Sequence, residues 1–122
     1  AKTLEHFNEI VPDNAQKWVH AQGMRNAGLE MLHWAHNHGF TARSTMLIWP
    51  SWRYIPPEIA RKYATQNAGG QWVSKTPTPE LRAQLERDMA AYFEFAQTNA
   101  AHLVEDWEVV NEERDNNQIT NF

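Results

Sequence analysis

The chain contains no cysteine. That excludes a disulfide framework and thiolate chemistry, and it leaves the compartment open. No apolar run approaches the roughly 20 residues that cross a bilayer, so no membrane partner is expected. No signal-peptide pattern opens the sequence, although a mature or trimmed chain would read the same. Lysine and arginine form no basic run, and a net charge of −4 gives no reason to expect nucleic acid. No glycine-rich phosphate loop follows any expected strand, which argues against a nucleotide. Internal repeats and low-complexity segments are also missing.

What is present points to a folded domain. A length of 122 residues matches one domain and suffices to bury a core. A hydrophobic fraction of 42% argues against disorder. Tryptophan is over-represented, with six copies. Indoles usually serve core packing, but their faces also stack on sugar rings and line apolar pockets. Trp49 and Trp52 flank a Pro-Ser pair at an expected strand end, a placement that core packing explains poorly.

Residues 1–6 read as the tail of a helix. Phe7, Asn8, Glu9, Ile10 and Val11 roughly alternate, as in a strand, and Pro12 ends it. Asp13, Asn14 and Lys17 follow at its carboxyl end. Two readings stand for them: a polyol-binding set, since hydroxyls both donate and accept, or an ordinary polar loop with Asp13 as a helix cap. Apolar residues at helical spacing predict a helix over 24–36. His33, His36 and His38 at its end invite a metal reading, but no third ligand is evident, and imidazoles suit a helix carboxyl end. No metal or other cofactor is expected. A second strand over 41–49 ends in Met46-Leu47-Ile48-Trp49, apolar enough to be covered on both faces. An ordered aromatic and proline-rich loop follows over 51–57, then a short helix over 58–63 and a turn over 67–70. Thr78 caps a long helix that starts at Pro79 and runs to about residue 102. Trp107, Glu108, Val109 and Val110 then suit a well-covered strand. It ends in Asn111 and Glu112. The remainder, 113–122, reads as polar loop with a short final turn.

The order is β-α-β-α-β, which predicts parallel strands in an α/β fold. In such architectures ligands sit at the carboxyl ends of strands. A carboxylic acid there, beside apolar neighbours, can serve as a proton donor. The alternative is a solvated strand end at Glu112, Glu113 and Arg114.

Three segments at three strand ends carry a resemblance: Phe7-Asn8-Glu9-Ile10-Val11-Pro12-Asp13-Asn14-Ala15-Gln16-Lys17-Trp18, Arg43-Ser44-Thr45-Met46-Leu47-Ile48-Trp49-Pro50-Ser51-Trp52, and Trp107-Glu108-Val109-Val110-Asn111-Glu112. Together, and in this order, they resemble glycoside hydrolase family 10, the retaining endo-β-1,4-xylanases. The resemblance covers nearly the whole chain. It implies a (β/α)8 barrel, typically of about 250 residues, of which this chain would supply a partial barrel, strands 2 to 4. It implies that Glu112 is the general acid/base and Asn111 the neighbouring amide on a sugar hydroxyl. Asn14 and Lys17 would hold the glycone-side xylose units, and Trp49 would lie beneath the sugar at the cleavage site. Trp52, on the same loop, is a further candidate sugar platform.

The chain departs from the family pattern at two places. Asp13 stands where the family usually has glutamate, one methylene longer. Thr45, preceded by Ser44, stands where the family has a histidine preceded by glycine. A retaining glycosidase also needs a second carboxylate about 5–5.5 Å from the first. In the family that nucleophile lies on a later strand. Glu108 lies four residues back, roughly 13 Å along the strand, and Glu113 should point elsewhere. The segment by itself is therefore expected to be inactive. The expected partners are β-1,4-xylan or a related β-glycan and the remainder of the barrel, from another chain or a second copy. By the same resemblance the protein would be secreted or periplasmic. Two rival readings are a non-catalytic β-glycan-binding module and a purely structural fragment that self-associates through its sheet edges.

Overall fold

The computed structural model describes residues 2–18, 27–45, 47–112 and 114–122. In chain order the elements are α1 (Lys2–His6), β1 (Glu9–Ile10), α2 (Ala27–Asn37), β2 (Thr41–Ser44), α3 (Pro57–Tyr63), β3 (Ala64–Gln66), β4 (Trp72–Ser74), α4 (Pro79–Ala100) and β5 (Asp106–Trp107). Short 3-10 turns cover Asn14–Gln16, Trp52–Tyr54 and Ala101–Leu103. Residues 24–26 of the expected first long helix lie outside the described set.

The parallel sheet has three strands in the order β1-β2-β5. Glu9 pairs with Thr41 and Ile10 with Ala42, while Arg43 pairs with Asp106 and Ser44 with Trp107. Because side chains alternate along a strand, this register sorts them by face. Ala42 and Ser44 are buried, with Ile10 and Trp107 half-buried beside them. Glu9, Thr41, Arg43 and Asp106 share the opposite face, and all are exposed. Parallel sheets ordinarily have both faces covered. Here, among the described residues, one polar face stays open.

The strands are shorter than the sequence pattern predicts. The ladder of β1 takes only Glu9 and Ile10, and Phe7 is 65% exposed rather than packed. The expected strand over 107–112 is reduced to Asp106–Trp107, with an isolated bridge from Ile48 to Val110. Val109 and Val110 are exposed, not covered as their apolar character suggested. The expected turn over 67–70 is the tip of an antiparallel hairpin, β3 with β4, that periodicity did not reveal. Asn67 builds that tip: its Oδ1 accepts from the backbone N–H of Gly69 and of Gln71, each at 3.0 Å. Gly70, at φ 76°, supplies the left-handed residue that the turn requires.

Helix α4 forms as its sequence dictates. Pro79 occupies the first turn, and the Thr78 hydroxyl accepts from the Leu81 N–H at 3.2 Å. Its stripe of Leu85, Ala96 and Ala100 is buried, with Leu81, Met89, Tyr92 and Phe93 half-buried against the same core. Helix α3 is tied to it through one carboxylate. Asp88 accepts from the Tyr63 hydroxyl at 2.6 Å, from Lys62 Nζ at 2.8 Å and from Gln84 Nε2 at 3.1 Å. The segment after β5, expected to be loop, sends Ile119 and Phe122 into the core. Phe122 meets Trp52 and Tyr63 edge-on at 5.4 Å and 5.7 Å.

Candidate active site at the carboxyl ends of the parallel strands

The loop after β1 is held in place from both sides. On the helix side, Trp18 stacks on Tyr92 of α4 at 5.1 Å, and the Tyr92 hydroxyl donates to the Gln16 carbonyl at 2.7 Å. Burial pushes the Tyr92 phenol's pKa up, so it remains a donor. On the strand side, the Trp18 N–H donates to the Leu47 carbonyl at 3.3 Å. The Thr45 hydroxyl reaches the Asp13 carbonyl at 3.2 Å. Thus Thr45 ties the second strand to the end of the first.

A bulge follows in the second strand. The Glu108 N–H donates to the Ser44 carbonyl, and the Glu108 carbonyl accepts from Leu47. The next described bond on this strand is thus three residues on, where a regular parallel ladder steps two. Bulges of this kind bend a strand and re-aim its side chains. The ladder resumes with Ile48 donating to Val109 and accepting from Asn111.

Beyond the bulge, Trp49 joins the three strand ends. Its indole N–H donates to Glu112 Oε2 at 2.8 Å. The Lys17 ammonium lies 3.9 Å from the centre of its ring. The Tyr54 ring stacks on it at 4.1 Å with 16° between the planes. Two groups this close to the centre of one ring can only occupy opposite faces. Lys17 is itself buried, at 7% exposure, so its ammonium is held over the indole rather than waving in solvent.

Glu112 has φ 56°, the left-handed region that non-glycine residues seldom enter. The turn is closed behind it by the Asn116 N–H, which donates to the Glu112 carbonyl at 2.8 Å. The Asn116 side-chain amide donates to Glu112 Oε2 at 3.1 Å. Oε2 therefore receives both Trp49 and Asn116, and among the described residues no donor reaches Oε1. The expected apolar surroundings are not what the structure provides. Glu112 is exposed and its partners are polar.

The other predicted site residues divide. Asp13 and Asn14 are exposed at the same rim, and Asn14 Nδ2 donates to Asp13 Oδ2 at 2.9 Å. Asn111 is half-buried next to Glu112. Trp52 requires correction: it is 0% exposed, so no sugar can reach it in this structure. Its indole N–H donates to Ser74 Oγ at 2.7 Å and its ring stacks on Tyr63 at 5.7 Å. The Pro-Ser pair turns the chain, so the two indoles part: Trp49 stays at the rim and Trp52 enters the core. Trp49 also differs from a bare platform, since Lys17 and Tyr54 cover both its faces. Tyr54 and Asn116 escaped sequence reasoning. The i, i+4 spacing of Glu112 and Asn116 was the available signal for the second; nothing local marked the first. Comparison with protein-family models, with curated proteins and with solved structures returns no match.

Proposed function

We propose that this chain is the central portion of a (β/α)8-barrel glycoside hydrolase, retaining and endo-β-1,4-xylanase-like. In it Glu112 is the general acid/base, Asp13, Asn14, Lys17 and Asn111 hold the sugar, and Trp49, its two faces covered, borders the sugar while holding Lys17 and Glu112 in place. One observation carries this reading: Lys17, Trp49 and Glu112, each delivered by a different strand, form one continuous set of contacts at the carboxyl ends of three neighbouring parallel strands. These are the ends where α/β folds bind ligands.

Glu112 would protonate the departing glycosidic oxygen and then deprotonate the attacking water. Oε1, which no donor among the described residues reaches, is the atom for that transfer, while Trp49 and Asn116 fix the carboxylate through Oε2. The nucleophilic carboxylate belongs to a later strand of the complete barrel. Two surfaces support further barrel strands. Among the described residues the sheet leaves the Glu9, Thr41, Arg43 and Asp106 face open. Past β5, an apolar groove of about 440 Å³ lined by Leu47, Phe93, Trp107 and Val109 adjoins the unpaired strand edge. That edge is where the next strand and helix would pack, supplied by further sequence, another chain or a second copy.

A polysaccharide pull-down beside a reducing-sugar assay tests the reading. The 122 residues alone should retain β-1,4-xylan and release negligible reducing sugar. Failure to retain it would remove the sugar-binding claim. A hydrolysis rate abolished in Glu112→Gln would instead remove the claim that the nucleophile lies elsewhere. A second reading, a non-catalytic β-glycan-binding module, is favoured by the same half-complete carboxylate pair. It predicts the same retention, with no turnover even when the remaining strands are supplied.

A further inference from the structure

Two imidazoles meet in the helix layer, one from each long helical segment. His33 lies on α2, and His102 lies in the 3-10 turn that leaves α4. Their ring centres are 6.2 Å apart, with 56° between the planes. Both side chains are exposed. Among the described residues no hydrogen bond or ion pair engages either ring. His38 and His6 differ: His38 Nδ1 is bonded to the Trp34 carbonyl at 2.8 Å, and His6 Nε2 lies 3.8 Å from Glu5 Oε2. Spacing along α2 alone could not reveal the pair, because the second imidazole comes from another element.

Unengaged imidazole nitrogens suit a divalent late transition ion such as zinc, nickel or copper. Magnesium and calcium take oxygen ligands instead. With metal–nitrogen bonds of about 2.0–2.1 Å, two imidazoles on one ion have ring centres about 5–6 Å apart, depending on the angle at the metal. The observed 6.2 Å lies at the edge of that range. A small χ rotation of two exposed side chains closes the difference. Among the described residues no third histidine or carboxylate completes the set. Water would fill the remaining positions, so the site is open and exchangeable rather than a closed structural one.

The position of the pair says what an ion would do there. Helix α2 ends shortly before β2 begins at Thr41, and the turn at His102 ends shortly before β5 begins at Asp106. The pair therefore sits toward the amino ends of the parallel strands, away from Glu112. In barrels that end bears on stability rather than on chemistry.

We propose that His33 and His102 form a divalent transition-metal site that clamps α2 to the end of α4. The proposal is independent of the sugar-binding reading, since neither histidine belongs to the rim or to the three segments that carry the family resemblance.

Thermal melts of the 122-residue chain with zinc chloride, and with magnesium chloride as control, test it. At ten times its dissociation constant, an ion that binds only the folded chain raises the melting temperature by about 5 °C. The unfolded chain also carries six histidines, which trims that rise. Zinc should therefore give a saturable rise of up to about 5 °C and magnesium none. The rise should vanish in His33→Gln and in His102→Gln and persist in His36→Gln, one turn along α2. Each variant is compared with its own metal-free melt, so a change in basal stability cancels. Zinc titration followed by the histidine ring resonances provides a readout that needs no unfolding: the His33 and His102 signals should move together and saturate at one ion per chain. A zinc effect that survives His33→Gln or His102→Gln, or the lack of any saturable rise and joint movement, would overturn the site. Shifts spread evenly over all the histidine rings would show adventitious binding and overturn it equally.

Discussion

Replacing Trp52 by alanine separates a core residue from a sugar platform, because the two roles predict opposite patterns. In this structure Trp52 is 0% exposed, stacks on Tyr63 and meets Phe122 edge-on. Truncating such a side chain costs about 3–5 kcal/mol in lost burial and residual cavity. Against a total stability of about 5–15 kcal/mol for a domain, that is a large fraction. For a chain of this size it corresponds to a fall in melting temperature of about 10–25 °C. Ser74→Ala offers a smaller perturbation of the same site. It strips the acceptor from the buried indole N–H, an unsatisfied donor that costs about 1–3 kcal/mol. Both variants can be followed by circular dichroism melts and urea titration, with xylan retention measured below each transition. Trp52→Ala should melt early and still retain xylan while folded. A variant that melts within a degree or two of the parent but no longer retains xylan would refute the packing argument and restore Trp52 to the site.

Further outcomes follow from the rim and the helix contacts. Glu112→Gln keeps an acceptor for Trp49 at an exposed position, so its stability should stay within about 0.5 kcal/mol of the parent; a collapse in urea would show that the carboxylate is structural. Lys17→Met removes the ammonium over Trp49, a contact of about 0.5–2 kcal/mol, but also a charged donor worth about 1.5–3 kcal/mol to a hydroxyl ligand. The second effect is larger, so net saccharide affinity should fall even though a face of Trp49 is uncovered; a gain in affinity would identify Lys17 as a cover rather than a ligand. Burial alone would raise the Asp88 pKa, but the hydrogen bonds from Lys62, Tyr63 and Gln84 together hold it below the ordinary aspartate range. A depressed carboxylate contributes stability above its unfolded value and loses it as pH falls through the folded value. Melting temperature should therefore drop between about pH 5 and pH 2, and that drop should shrink in Asp88→Asn. An unchanged acid limb in Asp88→Asn would assign acid unfolding to other groups. Sedimentation should show concentration-dependent association through the β1 and β5 edges of the three-stranded sheet; a monomer at all concentrations would count against accessible strand edges.

Much of the architecture was legible because it rests on strong local signals. The Thr78–Pro79 start of α4 and its apolar stripe are set by capping and by the helical period. The parallel order follows from strands separated by long helical crossovers. Strand extent was not legible. Val109 and Val110 have the right composition for a covered strand, but coverage is decided by what packs across them, and here nothing described does. The hairpin was hidden because Gln66, Gln71 and Ser74 break any alternation, and only Asn67 and the two glycines marked its tip. The rim was partly legible: Lys17, Trp49 and Glu112 meet as their strand-end positions suggested. Trp52 was misplaced because its chemistry fits both a core and a sugar site, and only the turn at Pro50-Ser51 chooses between them.

The Trp49 indole N–H resonance is the most direct probe of whether the three strand ends form one saccharide grip. Titrating labelled protein with xylobiose should move that signal and the Lys17 ammonium signal together and saturably, and leave the buried Trp52 indole where it is. Movement confined to Trp52, or no saturable movement at Trp49 and Lys17, would contradict the account.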